Sequence, residues 1–213
     1  MSNKKTLSLE RLLELAADEF CRRRYEDVSV AEISKVAHCS TATIYDVFCG
    51  KDELFRRAML SRLDRSWPQM PDVGSGAALP RLLDYFETRL RTLASEESRK
   101  VCSAVIAQRA IIGEVFLAEL HRHRAAVDRI MTRFVELAVM EGTIATETPA
   151  SVGYLLSASC AYESTLYGLT FGIESPVNFG EVVRKTFSPF VTSRGRAALE
   201  RHLAGGAVQS EAA

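Results

Sequence analysis

No stretch of this chain approaches the roughly 20 consecutive apolar residues that a membrane-spanning helix needs, and the mean hydropathy is −0.01. A secretion leader is not expected at the N-terminus either. Lys4 and Lys5 make a basic start, but Glu10, Glu14, Asp18 and Glu19 interrupt any apolar run that follows. The expectation is a soluble, cytoplasmic protein with no membrane partner. An excess of one charge is absent as well: 27 Lys and Arg balance 27 Asp and Glu, and the pI is about 6.9. Even residues 1–66 hold twelve basic side chains against eleven acidic ones. Any contact with nucleic acid must therefore come from the placement of groups and not from a general basic surface. The five cysteines, Cys21, Cys39, Cys49, Cys102 and Cys160, include no CxxC pair and no metal-ligand spacing. They read as reduced thiols, buried or idle, and not as a disulfide framework. A nucleophile elbow, a phosphate loop, an HExxH and a paired-carboxylate site are all missing, so an enzyme is not expected and neither is a cofactor or a metal.

Long β-branched runs of period two are absent too, and helical periodicity stands in their place. Leu9, Leu12, Leu13, Ala16 and Phe20 fall on one apolar stripe of a helix over about 8–23. Ser29 with Glu32 three residues on forms a capping box that opens a short second helix, about 30–37, with Val30, Ile33 and Ala37 facing inward. A turn at His38-Cys39 follows, and Ser40 caps a third helix, about 41–48, with Ile44 and Phe48 inward. A fourth helix, about 51–67, opens on Lys51, Asp52 and Glu53. Two prolines and two glycines in Pro68–Gly76 mark a boundary. Beyond it, helices are expected over about 79–94, 99–112, 115–140 and 149–170, then a last helical region from Pro176, interrupted at Pro189, and an irregular tail from Gly205. The expected fold is all-α, about nine helices in total: an N-terminal three-helix helix-turn-helix head in a domain of residues 1–66, and a C-terminal helical bundle over 67–213.

The informative stretch is Ser29 to Phe55. Two short capped helices joined by a tight turn are what a helix-turn-helix requires, the first crossing the phosphate backbone and the second lying in the major groove. Ser40, Thr41, Ala42 and Thr43 would form the first turn of the reading helix. They are short, so the backbone can come close to the bases; threonine can hydrogen-bond base edges, and threonine or alanine methyls can meet a thymine methyl. Tyr45 can set its hydroxyl on a phosphate. The amides at Ser29 and at Gly50-Lys51, with the Lys51 charge, suit phosphate too. Each residue also has an ordinary structural reading. Ser29 and Ser40 can serve only as caps, Tyr45 can pack at the domain edge, and Lys51 and Arg22–Arg24 can be solvated charges. His121 and His123, two apart, lack a partner at metal spacing.

The same stretch resembles the TetR family of transcriptional regulators. The matching positions are Ala16-Ala17, Phe20, Tyr25, Ser29-Val30, Ile33, Ala37, Ser40, Ile44-Tyr45, Phe48, Lys51 and Leu54, with every spacing kept across about 9–55, roughly a quarter of the chain. The remainder agrees in being helical and of suitable length. Six positions depart from the pattern. Arg24 replaces a glycine, Ser34 an alanine, and His38-Cys39 a Gly-Val. Thr41 stands for a frequent lysine, and Val47 for a His or Tyr that would touch phosphate. The last two remove backbone contacts. Histidine tolerates left-handed geometry better than most residues, so the turn can survive at a small cost.

The resemblance implies a homodimer, a double-stranded DNA operator and a small-molecule effector bound in a helical core. Candidate effector-lining residues are Phe86, Leu90, Val105, Arg109, Phe116, Phe134, Tyr154 and Tyr162, each of which can equally be plain core. Arg109 is the one charge in the apolar run Val105–Ile111, suited to an anionic ligand or to an internal acid such as Glu163. Gly153, Ser157, Ala161 and Ser164 put small residues near one helix face, where a partner subunit or the same subunit's core can approach closely. The function implied is a ligand-responsive regulator, in repressor mode, whose two reading helices sit about 34–36 Å apart. The alternative is a helical small-molecule-binding or scaffold protein with a weakened head.

Overall fold

The structure, a computed structural model, describes residues 8–66, 71–72, 76–171 and 178–210, without the side chains at 66, 162–171 and 206–210. Ten α-helices are present among the described residues: α1 (Leu9–Arg22), α2 (Val30–Val36), α3 (Thr41–Val47), α4 (Lys51–Ser66), α5 (Ala78–Ala94), α6 (Glu96–Ala107), α7 (Arg109–Met140), α8 (Pro149–Phe171), α9 (Phe179–Phe187) and α10 (Ser193–Ser210). A single 3₁₀ turn, Tyr25–Asp27, links α1 to α2. The only extended pairing among them is one antiparallel bridge, Ile144 with Val191. The all-helical expectation is met. The chain divides into two compact units, residues 1–66 with 96–120, and residues 67–95 with 121–213.

In the first unit, α1 buries Leu12, Leu13, Ala16, Ala17 and Phe20 and lies against α4. Ala16 and Ala17, both fully buried, let the two backbones come close. Ile33 from α2, Ile44 from α3 and Phe48 just after it are closed off from solvent. These three anchors hold the short helices, which at seven residues each could not persist alone. Tyr25 stacks on Phe20 at 5.8 Å and meets Phe55 edge-on at 5.3 Å, and Phe20 meets Phe55 at 5.1 Å. Its hydroxyl donates to Asp52, so α1, the 3₁₀ turn and α4 are locked by one aromatic cluster.

The second unit is built on α5. Leu79, Leu82, Leu83, Phe86 and Leu90 are fully buried with Val127, Met131, Phe134, Leu156 and Phe187. Gly153 of α8 is required by close approach: a Cβ there would stand 2.5 Å from Thr132 Oγ1 and 2.6 Å from the Thr132 backbone nitrogen. α7 ends on Gly142 at φ 69°, where the Thr143 amide donates to the Ala138 carbonyl at 2.9 Å and that of Gly142 to Val139 at 2.9 Å. This is a Schellman ending with Ile144 buried behind it.

Three boundaries differ from the sequence expectation. The helix expected over about 99–112 is α6, ending at Ala107. The helix expected from Val115 belongs to α7, which begins at Arg109 and leaves helical geometry at Gly113 (φ 70°, ψ 171°). Glycine alone adopts that conformation freely, so the regular long helix follows residue 113. The tail expected to be irregular from Gly205 is helical to Ser210. Each glycine costs a helix only about 1 kcal/mol, which continuation from the docked turns before it can offset. The Pro68–Gly76 boundary lies mostly outside the described residues.

Candidate nucleic-acid interface

The helix-turn-helix is set by local chemistry at each joint. Ser29 Oγ accepts from the Glu32 amide at 3.1 Å, while Glu32 Oε2 accepts from the Ser29 amide at 2.9 Å and from its hydroxyl at 2.8 Å. Arg23 Nη1 donates to the same carboxylate at 3.0 Å. These hydrogen bonds, from the Ser29 backbone first, hold the Glu32 pKa down at about 2. α2 then ends in a second Schellman turn. His38 adopts φ 53°, its amide donates to the Lys35 carbonyl at 3.2 Å, and that of Cys39 donates to Ser34 at 3.0 Å. Histidine therefore occupies the left-handed position that glycine would fill without strain. Ser40 Oγ accepts from the Thr43 amide at 3.0 Å and shares a hydrogen bond with the Thr43 hydroxyl at 2.8 Å.

The outcome is an exposed helix face. Thr41, Ala42, Thr43, Tyr45, Asp46 and Val47 are all exposed while Ile44 between them is buried, and Tyr45 is 57% accessible. Lys51, the first residue of α4, holds its ammonium 4.0 Å from the centre of the Tyr25 ring. The Ser29 amide, considered from sequence as a phosphate donor, is already taken by Glu32. What that residue turns outward is an exposed cap beside a carboxylate neutralised in part by Arg23.

The other candidate residues divide between the two units. Val105 is half-buried, Arg109 is exposed and Phe116 is buried in the first unit. Phe86, Leu90 and Phe134 are fully buried in the second, where Tyr154 is 51% exposed with Arg124 5.4 Å from its ring centre. Tyr162, Glu163 and Ser164 lie outside the described side chains. Arg109 opens α7 in solvent; the charge inside the core is Arg89, 7% exposed. Arg89 escaped the sequence reading although a signal was there. It continues the spacing of Leu79, Leu82, Leu83 and Phe86 along α5, which places it on the buried stripe. His123 lies beside it, its Nε2 3.5 Å from Arg89 Nη1. His121 is exposed. Burial raises the thiol pKa of Cys21 to about 11 and that of Cys160 to about 12. Neither is an activated thiolate.

An all-helical protein whose first unit presents a short exposed helix, capped and pinned at its base, belongs to the class of helix-turn-helix proteins. Residues 12–58 match the sequence model of the bacterial regulatory proteins, tetR family. The chain is similar in structure to a TetR-family transcriptional regulator of Mesorhizobium loti MAFF303099, at 19% identity over 92% of this chain and 95% of that one, TM-score 0.66. It is similar to a TetR transcriptional regulator of Agrobacterium tumefaciens at 16% identity over 89% and 96%, TM-score 0.66. A third similar structure is a complex of SmeT with triclosan, 15% identical over 85% and 90%, TM-score 0.57. No curated protein sequence matches. The N-terminal segment thus belongs to the tetR family of bacterial regulatory proteins, and along most of its length the chain has the fold of TetR-family transcriptional regulators.

Proposed function

We propose that this chain is a ligand-responsive transcriptional repressor that binds a palindromic operator as a homodimer and leaves it when a small apolar or amphipathic effector occupies the second unit. The observation that carries the reading is the exposure of Thr41, Ala42, Thr43 and Tyr45 on a helix whose inner residue, Ile44, is buried. Thr41, Ala42 and Thr43 would meet base edges, and Tyr45 and Lys51 phosphate; Ser29 and Ser40 shape the two helix starts and add hydroxyls. Residues 1–66 carry the DNA-binding function and residues 67–213 the effector and dimer functions. Tyr154 and Leu155, both 51% exposed on α8, suit a subunit seam. The SmeT–triclosan complex supports the effector part by likeness of fold. The regulator reading carries with it a cytoplasmic site of action and a non-enzymatic role; no single helix among the described residues is long and apolar enough to cross a membrane.

An effector acts by binding better to a dimer whose head spacing does not fit the operator, which draws the population off DNA. The test is a gel shift with the DNA upstream of the chain's own gene. A salt-sensitive, sequence-selective band is expected from the dimer, weakened at least tenfold in Thr43→Val with Tyr45→Phe. A band unaffected by that pair, or none, would remove the assignment. A second reading, a helical binding protein with a weakened head, is favoured by two features: Val47 exposed at 43% and Glu32 holding the Ser29 amide. A shallow dependence of binding on salt would select it.

A further inference from the structure

Arg89 is a cation in the wrong place for an ordinary side chain. It sits on α5 inside the core of the second unit, 7% exposed. Its Nε is buried with no hydrogen-bond partner. Among the described residues it also meets the Tyr85 side chain one turn back and His123 Nε2 on α7 at 3.5 Å, the long edge of a hydrogen bond. Cys160 of α8 lies close enough to feel its charge. Among the described residues no carboxylate comes within 4.0 Å of the guanidinium.

None of the three neighbours supplies a negative charge at neutral pH. Burial pushes the Tyr85 phenol and the Cys160 thiol upward, so both keep their protons. Burial, with the Arg89 charge second, holds His123 down at about 4, so it is neutral. Phe86 and Leu90 on α5, Val127 one turn on from His123 and Leu156 one turn before Cys160 are all fully buried in the same core. A buried charge with no carboxylate beside it among the described residues opposes folding unless something compensates it, and a guanidinium whose Nε is left without a partner can match a planar carboxylate. Three helices thus converge on one cation inside an apolar wall, the composition expected of a site for a molecule with one anionic group and a hydrocarbon body.

We propose that Arg89, with Tyr85 and His123 beside it, recognises the acidic group of the effector, and that the effector is a small amphipathic carboxylate. This rests on the reading that the second unit takes an effector, and it narrows that effector's chemical class. Tyr85 and neutral His123 supply further donors around the carboxylate, and Arg89 supplies the charge.

The test is calorimetric titration of the full-length wild-type protein at pH 7.5 with octanoate against octanol and with 2-naphthoate against 2-naphthol. At least one acid should bind tenfold or more tightly than its neutral partner. Arg89→Met should reduce that ratio below threefold without loss of thermal stability, because the charge it removes has no carboxylate beside it among the described residues. Arg89→Lys should keep part of the preference. Should Arg89→Met fail to fold, Arg89→Gln takes its place. No acid preference in the wild type, including no binding of either member of both pairs, overturns the proposal, as does a preference that survives Arg89→Met or Arg89→Gln. The gel shift is read separately. If the operator band persists while acid preference is absent, the regulator reading stands and the Arg89 assignment falls. If acid preference depends on Arg89 while no band forms, the reverse holds.

Discussion

The two units solve the same problem, seven to thirty-two residue helices packed on one another, by different means. In the first, each joint is closed by residues a few positions apart. Ser29 and Glu32 cap α2, His38 and Cys39 terminate it, and Ser40 and Thr43 start α3. Such joints depend on sequence spacing, and the side chains left over, Thr41, Ala42, Thr43 and Tyr45, face outward because Ile44 and Phe48 have to face inward. In the second, helices separated by tens of residues set each other's geometry: Gly153 against Thr132, Arg89 against His123, Cys160 against the Phe86 carbonyl at 3.8 Å. The difference teaches that an exposed face can be specified locally, whereas an interior has to be assembled.

The contrast can be broken by substitution. The largest effect is expected from the assembled interior. Gly153→Ala forces a methyl into space where Thr132 stands 2.5–2.7 Å away, part of it backbone that cannot rotate aside. Overpacking of this kind costs about 1–3 kcal/mol, read as a drop in the urea midpoint at unchanged slope. A neutral result would mean that α8 and α7 slide apart freely and that the second unit is less tightly set than its geometry indicates. A smaller effect of opposite sign is expected from a local joint. His38→Gly removes the left-handed strain at φ 53° and should stabilise the protein by about 1 kcal/mol, with the operator band intact. A loss of stability there would show that the histidine side chain, and not the backbone, holds the turn.

A third effect, read only below neutral pH, is a pH dependence. His123 keeps a folded-state pKa of about 4 against an ordinary 6.5, from burial first and Arg89 second. Between those two values the unfolded chain takes up a proton that the folded chain refuses. Stability should therefore be level above pH 6.5 and fall as pH drops from about 6.5 to about 4. Denaturation curves at pH 7.5, 5.5 and 4.5 should diverge less in His123→Gln than in the wild type. Equal divergence would assign the fall to other groups.

Much of the first unit was legible. The capping box at Ser29, the Ser40 cap, the inward Ile44 and Phe48 and the tolerance of His38 for a left-handed turn all depend on residue type at short spacing, and each is present. The bundle was legible only as helices. Arg109 drew attention as the one charge in an apolar run, yet that run is divided between α6 and α7 and leaves Arg109 in solvent. Arg89 sits among ordinary charged neighbours in sequence, Glu87 and Arg91, which pair with each other on the outer face at 2.6 Å. Only its register along the α5 stripe marked it.

The sequence by itself determined that the chain is helical, where most helices start and stop, and which short helix shows its first turn to the outside. These follow from periodicity, caps and turn residues, whose physics acts within a turn or two of the backbone. The tertiary structure decided which charge is buried, which glycine is indispensable and which histidine stays neutral. Desolvation and close packing are properties of neighbours brought from elsewhere in the chain, and a residue's own stretch of sequence does not name them.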